Sequence, residues 1–225
     1  RNQAAAGGAA YLYYGSSLEA TGTTWSANSA SAYAGGALSV YGAGLPTSVS
    51  LDSCSLTDNA SVNEGGAFHG RALTTVTLSD NEFLRNSTGN ESYGGGVFLQ
   101  GTATTRSTAN LFAQNVARYG GGAYVDTAAT AGAWTNNVFA ENTAANGGSV
   151  CLASSVGQVW NNNTFVGNSA TEAGGVLCLY ATAIDFTDFD TARATLALTN
   201  AFTDPVEADA TGARLMLPES TPPAE

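Results

Sequence analysis

The chain has 225 residues, 44% of them hydrophobic and only 11% charged, which is enough for one domain with a sizeable core. Seven Arg and no Lys stand against 18 acidic residues, and the formal charge of −11 makes nucleic acid and anionic membrane poor partners. No stretch is long and apolar enough to cross a bilayer as a helix, and the hydrophobic content excludes a wholly disordered chain.

Arg1-Asn2-Gln3-Ala4 opens the chain and reads as the tail of an Asn-x-Ala repeat. The visible start is therefore expected to lie mid-coil, either because a leader and earlier coils were removed or because the chain belongs to something larger. Gly7-Gly8 begins the next unit. Tyr11, Tyr13 and Tyr14 follow, as a cover for the open end of a column or as a contact for a partner.

From there one phrase repeats. Glycine runs end at Gly8, Gly36, Gly66, Gly96, Gly122, Gly148 and Gly175, in steps of about 28, 30, 30, 26, 26 and 27 residues. A second marker runs in phase at Trp25, Leu56, Phe83, Phe112, Phe139 and Phe165. Three residues after each comes an asparagine: Asn28, Asn59, Asn86, Asn115, Asn142 and Asn168. A further asparagine precedes the marker by two residues at Asn81, Asn110, Asn137 and Asn163, with Cys54 in its place one unit earlier. Between markers, short segments such as Val76-Thr-Leu78 and Val176-Leu-Cys-Leu179 alternate or run apolar as strands do. No segment offers the stripe of an amphipathic helix.

A unit of about 27 residues fits one three-sided turn of a coil. The expected fold is all-β: a right-handed, single-stranded parallel β-helix of about seven coils with an irregular C-terminal cap, the hand following the usual crossover preference. The boundaries read as repeats over 1–182, terminal coil or cap strands over 183–217, and a flexible tail or linker over 218–225.

The repeated residues read as architecture. Phe83, Phe112, Phe139 and Phe165 are expected to stack inside the column. Asn86, Asn115, Asn142 and Asn168 should form a ladder, since Asn tolerates left-handed turns and stacked amides bond along an axis. The glycine pairs recur in every unit and lack a phosphate-loop context, so a corner needing positive φ explains them.

Candidate chemistry is sparse. His69 is expected on the outer side of a strand as surface decoration, and one His offers no Ser-His-Asp order. Arg71, Arg85, Arg106 and Arg118 fall at different offsets from their markers. Asp80 with Glu82, or Asp126 with Glu141, share no offset between adjacent coils, as a glycosidase pair would. Asp185, Asp188 and Asp190 are the metal candidates, in the densest acidic stretch, with no Ca-loop spacing. No cofactor is expected. Cys151 and Cys178 each lie three residues past a glycine pair and one period apart, so they should be ladder neighbours within disulfide range. That bond would place the chain in an oxidising compartment; a thiol pair is the alternative. Cys54 lies too far away to join them and is either buried or used between chains.

The segments Gly-Gly-Ala-Phe (65–68), Gly-Gly-Ala-Tyr (121–124) and Gly-Gly-Val-Leu (174–177), with the Asn-x-Phe-x-x-Asn-x-Ala copies, resemble the paired repeats of the polymorphic outer membrane proteins. The same pairing is similar to that of other secreted bacterial proteins with pectate-lyase-like β-helices. The resemblance covers about residues 1 to 180. It implies a secreted or cell-surface location and an adhesive role. The expected function is thus a non-enzymatic structural or adhesive rod that presents a face to a glycan, a host surface or other subunits, with Tyr11, Tyr93 and Tyr119 as contacts and no membrane insertion by this segment. The alternatives are a subunit of an extracellular filament or sheath, and a polysaccharide lyase or glycoside hydrolase.

Overall fold

The computed structural model describes residues 1–72, 74–89, 91–101, 104–126, 132–153, 158–180 and 201–202. Every regular element among them is a β-strand, and every strand pairing is parallel between one coil and the next. The protein is a β-solenoid. Its longest stacks hold seven strands, so seven levels enclose about six turns.

Most coils carry four strands, where the sequence suggested three sides; the coil after Gly96 has three, with an isolated bridge at Val116 in place of the fourth. In the coil after Gly36 the four are Leu38–Tyr41, Thr47–Asp52, Ser55–Thr57 and Ala60–Ser61. The fourth is only two residues long, too short for an alternation to show. The corners around the third side turn on one left-handed residue each: Ser53, Asp80, Ala109, Asn136 and Asn162 before it, and Ala27, Asp58, Arg85, Gln114 and Glu141 after it. The ladder asparagines come one residue later. The sequence reading that assigned the left-handed turn to the asparagines themselves is corrected accordingly.

What the asparagines do is tie coil to coil. The Oδ1 of Asn115 accepts from the backbone N–H of Asn86 at 2.9 Å and from its Nδ2 at 3.0 Å. The Nδ2 of Asn115 in turn donates to Asn142 Oδ1 at 3.0 Å and back to Phe83 O at 2.8 Å. The same pattern runs from Asn2 through Asn28, Asn59 and Asn86 to Asn142 and Asn168. Asn81, Asn110, Asn137 and Asn163 form the second ladder, and Cys54 begins it by donating its backbone N–H to Asn81 Oδ1. Buried amides are tolerable because from Asn59 to Asn142 both donors and the acceptor of each are used.

The core lies between the sides as one column. The third side contributes Leu56, Phe83, Phe112, Phe139 and Phe165 in register. Consecutive Phe rings lie 4.8, 4.7 and 5.2 Å apart and within about 11° of parallel. Trp134 and Trp160 stack at 4.7 Å and lean on the same rings. Phe139 is buried between two Phe rings and beside both Trp rings, so Phe139→Ala should cost about 3 to 5 kcal/mol of stability in urea unfolding. A loss under about 1 kcal/mol would show that the column collapses to fill the gap.

The glycines split into two jobs. Gly35, Gly65, Gly94, Gly120 and Gly147 have positive φ, as expected of a corner. The glycine after each has ordinary φ and lies against the backbone of the next coil: a Cβ on Gly36, Gly66, Gly95, Gly121 or Gly148 would fall within 2.0–2.4 Å of a carbonyl oxygen. These contacts also correct the register. In the two runs of three glycines the equivalent residues are Gly95 and Gly121, one residue before Gly96 and Gly122.

The third-side stack gains one further strand at Ala201–Phe202, paired in register with Thr164 and Phe165. The rest of the expected cap and tail lies outside the described residues.

Candidate functional site

The first side of each coil, the strand after the glycines, decides where a site forms. Alternate residues point inward, and the others form two rows on the outer face. The upper row reads Tyr11, Ser39, His69, Phe98, Tyr124, Cys151 and Cys178 from the first level to the seventh. Beside it run Tyr13, Tyr41, Arg71, Gln100 and Asp126.

Over the later levels this outer face is closed. Phe98, Tyr124, Cys151 and Cys178 form a second apolar cluster, separate from the main column, and Tyr93 and Tyr119 pack over it. Tyr93 and Tyr119 stack on each other at 5.0 Å, and Tyr93 meets the Tyr124 ring at 4.7 Å. Burial pushes the Tyr124 hydroxyl well above its ordinary pKa. Arg118 lies over the Tyr119 ring and pairs with Glu91. Two of the three expected contact tyrosines are thus half-buried packing.

Cys151 and Cys178 are register partners, as the period required, but both are thiols and no disulfide joins them. In-register parallel neighbours aim their Cβ atoms the same way, whereas a disulfide needs them to converge. The expected bond is corrected, and the compartment argument built on it falls with it. Cys54 is buried and directs its Sγ at the Ala20 carbonyl, which settles it as an interior residue.

At the first three levels the same face carries a groove, with Tyr11 exposed and Ser39 and His69 buried. Ser39 puts a small side chain in the upper row, and the groove, of about 690 Å³, lies beside it. Tyr11, Tyr33 and Tyr41 line it, together with Ser39, Asn63, Glu64, His69 and Arg71. Tyr11 is 51% exposed and Tyr33 65%, so ring faces are presented to solvent. Tyr13 continues the patch, 6.1 Å from Tyr11 and 5.9 Å from Tyr41. The inward residue between them, Leu12, fills the column; the tyrosines stand beside the column end and do not cover it. Their role as a cap is corrected.

His69 is not surface decoration. It is only 5% exposed and stacks on Phe98 at 5.3 Å and 6°. Its Nδ1 lies 3.2 Å from Ser39 Oγ, and its Nε2 lies 3.6 Å from Glu64 Oε2 with no hydrogen-bond partner. Burial, helped by the nearby Arg71 charge, pushes its pKa down to about 3, so the ring is neutral in ordinary buffers. Burial pushes the Glu64 carboxyl up, and Arg71 opposes that. The register that joins Ser39 to His69 was available in the sequence: both lie three residues past a glycine pair, the offset shared by the two cysteines.

Ser39, His69 and Glu64 thus line up in the spatial order of a nucleophile, a base and an orienting acid. Two features weigh against a hydrolytic site. So weakly basic a ring is a poor proton acceptor near neutral pH. Ser39 sits in the middle of three strands, whose N–H groups are taken by the ladders on both sides, so no backbone donor is left for an oxyanion. The other acids stay apart. Asp80 meets Ser79, Asp126 meets Gln100, Glu141 meets Gln114, and Arg85 is spent on Asp58. Among the described residues no three His, Cys, Asp or Glu side chains gather as a metal site. Asp185, Asp188 and Asp190 lie outside the described residues. The groove joins aromatic faces to a few convergent polar groups, the composition common in ligand-binding clefts. No family model, curated protein or solved structure matches this chain.

Proposed function

We propose that this chain is the rigid β-solenoid portion of a secreted or cell-surface protein and that it presents the tyrosine-lined groove to a glycan. The observation that carries this reading is the groove, where Tyr11, Tyr33 and Tyr41 surround the polar edges of Asn63, Glu64 and His69. A sugar ring has one face of C–H groups and a rim of hydroxyls. The C–H face suits the electron-rich face of a tyrosine, and the rim suits buried polar side chains. Coils tied by two asparagine ladders give the groove little freedom, so little ordering cost attends binding. The resemblance of the repeats to those of surface-exposed β-helices supports the location and an adhesive rather than catalytic role.

The purified chain should therefore bind one class of oligosaccharide on a glycan array. Tyr11→Ala and Tyr41→Ala should each weaken that binding about tenfold while leaving the unfolding midpoint unchanged, as expected for exposed aromatic contacts. No binding to any glycan, or full affinity in both variants, would sink the reading.

A further inference from the structure

The buried pair at the back of the groove says which kind of glycan it takes, an inference that rests on the glycan reading above. The Nε2 of His69 is buried and lacks a hydrogen-bond partner, and the residue stands in the wall of the groove. A buried polar atom left in that state is costly unless something fills the position. Its neighbour across 3.6 Å is the Glu64 carboxylate, too far for a direct hydrogen bond.

The tautomer follows from that neighbour. A bare Nε2 lone pair facing a carboxylate oxygen would be repulsive, so the carboxylate favours the form with the proton on Nε2. Ser39 Oγ then donates to Nδ1 across their 3.2 Å contact. The groove therefore offers one donor, His69 Nε2–H, and one acceptor, Glu64 Oε2, side by side.

We propose that Glu64 and His69 form a hydroxyl-reading subsite and that the ligand is an uncharged oligosaccharide. A sugar hydroxyl is both donor and acceptor, so one oxygen can accept from His69 and donate to Glu64. A carboxylate, sulfate or phosphate has no proton to give and would face the Glu64 charge. An ammonium has no lone pair and would leave the His69 N–H orphaned. Arg71 at the rim has no carboxylate within salt-bridge distance among the described residues, and its charge offsets that of Glu64, which keeps the groove near neutral. The chain as a whole carries a net charge of −11, which disfavours the approach of acidic chains at low ionic strength.

The test uses the full chain with oligosaccharides of glucose, galactose and mannose, set beside oligogalacturonate and a sialylated glycan. Binding should favour a neutral member, and its affinity should be nearly flat between low and high salt. Glu64→Gln keeps the shape, and His69→Phe keeps the ring stacked on Phe98. Each should lose about tenfold in affinity, the scale of a hydrogen bond to a buried or charged group. One monodeoxy analogue of the bound sugar should lose at least as much on the parent and less on Glu64→Gln, because the substitution already weakens one of the two bonds that the hydroxyl makes. Preference for an acidic glycan would overturn this inference and leave glycan binding intact. So would full affinity in Glu64→Gln and His69→Phe while Tyr41→Ala binds poorly. Binding to no glycan would remove both readings together.

Discussion

Gly66→Ala should abolish the cooperative fold or lower its stability by more than about 5 kcal/mol, the range reserved for severe mechanisms. The reason is space. Gly66 has ordinary φ, so alanine is welcome there by backbone preference. A methyl group at that position would lie 2.1 Å from Gly95 O and 2.6 and 2.7 Å from the N and O of Ser87. All three are backbone atoms, Ser87 at the end of the coil that Gly66 opens and Gly95 at the start of the next, and that backbone is pinned by the ladder bond from Ser87 N to Asn59 O and by the bond from Gly66 N to Gly94 O. The methyl can be housed only by prising two coils apart, which breaks bonds along the whole level. Overpacking a side-chain core costs less because side chains can move to new rotamers. Gly22→Ala is the informative control. Gly22 has φ +57 with nothing within 4 Å of the added carbon, so it should lose only about 1 to 2 kcal/mol from the left-handed conformation. Chemical unfolding of the two variants separates the contributions. Equal losses would mean that coil spacing is soft and that the glycines matter only as turns.

That contrast also marks the limit of what the sequence revealed. The period, the Phe column and both asparagine ladders were legible because each level repeats the same demand, so one weak signal is read six times. Register within a level was less secure. A run such as Gly94-Gly95-Gly96 has no internal mark, and only the contact of Gly66 with Gly95 shows which glycine is equivalent. The left-handed corners were invisible because Ala27, Arg85, Gln114 and Glu141 carry no turn signature. They are held there by the next residue along the chain, an inward asparagine locked on both sides. The groove was hardest to see. Ser39, His69 and Glu64 come from two coils, and their burial depends on segments before the glycines that fold over the outer face. A residue on the outer side of a strand reads as solvated until that cover is known, which is why His69 was expected at the surface.

Asn115→Ala should cost about 4 to 6 kcal/mol, more than the loss of a buried aromatic of far greater area. Truncation orphans several partners at once. The backbone N–H and one Nδ2–H of Asn86 lose their acceptor, Asn142 Oδ1 loses one of its two donors, and Phe83 O loses the Asn115 amide. Asn86, Asn115 and Asn142 are all fully buried, so water cannot replace the missing bonds without opening the corner. Each unsatisfied buried group costs roughly 1 to 3 kcal/mol, and here at least three are left in one place. Asn115→Asp separates charge from geometry: it keeps the acceptor for Asn86 but sets a second acceptor against Asn142 Oδ1 and Phe83 O, so it should be nearly as damaging above the carboxyl pKa. Its loss should shrink on acidification, because the introduced carboxyl regains a donor once it is protonated. Burial among acceptors raises that carboxyl, so the recovery should begin above the ordinary carboxylate range. Urea unfolding of both variants at pH 7 and pH 4 reads this directly, each against the parent at the same pH. An Asn115→Asp penalty that does not change with pH would mean that the corner has opened to water, and that the ladder bonds hold the coils less tightly than their geometry implies.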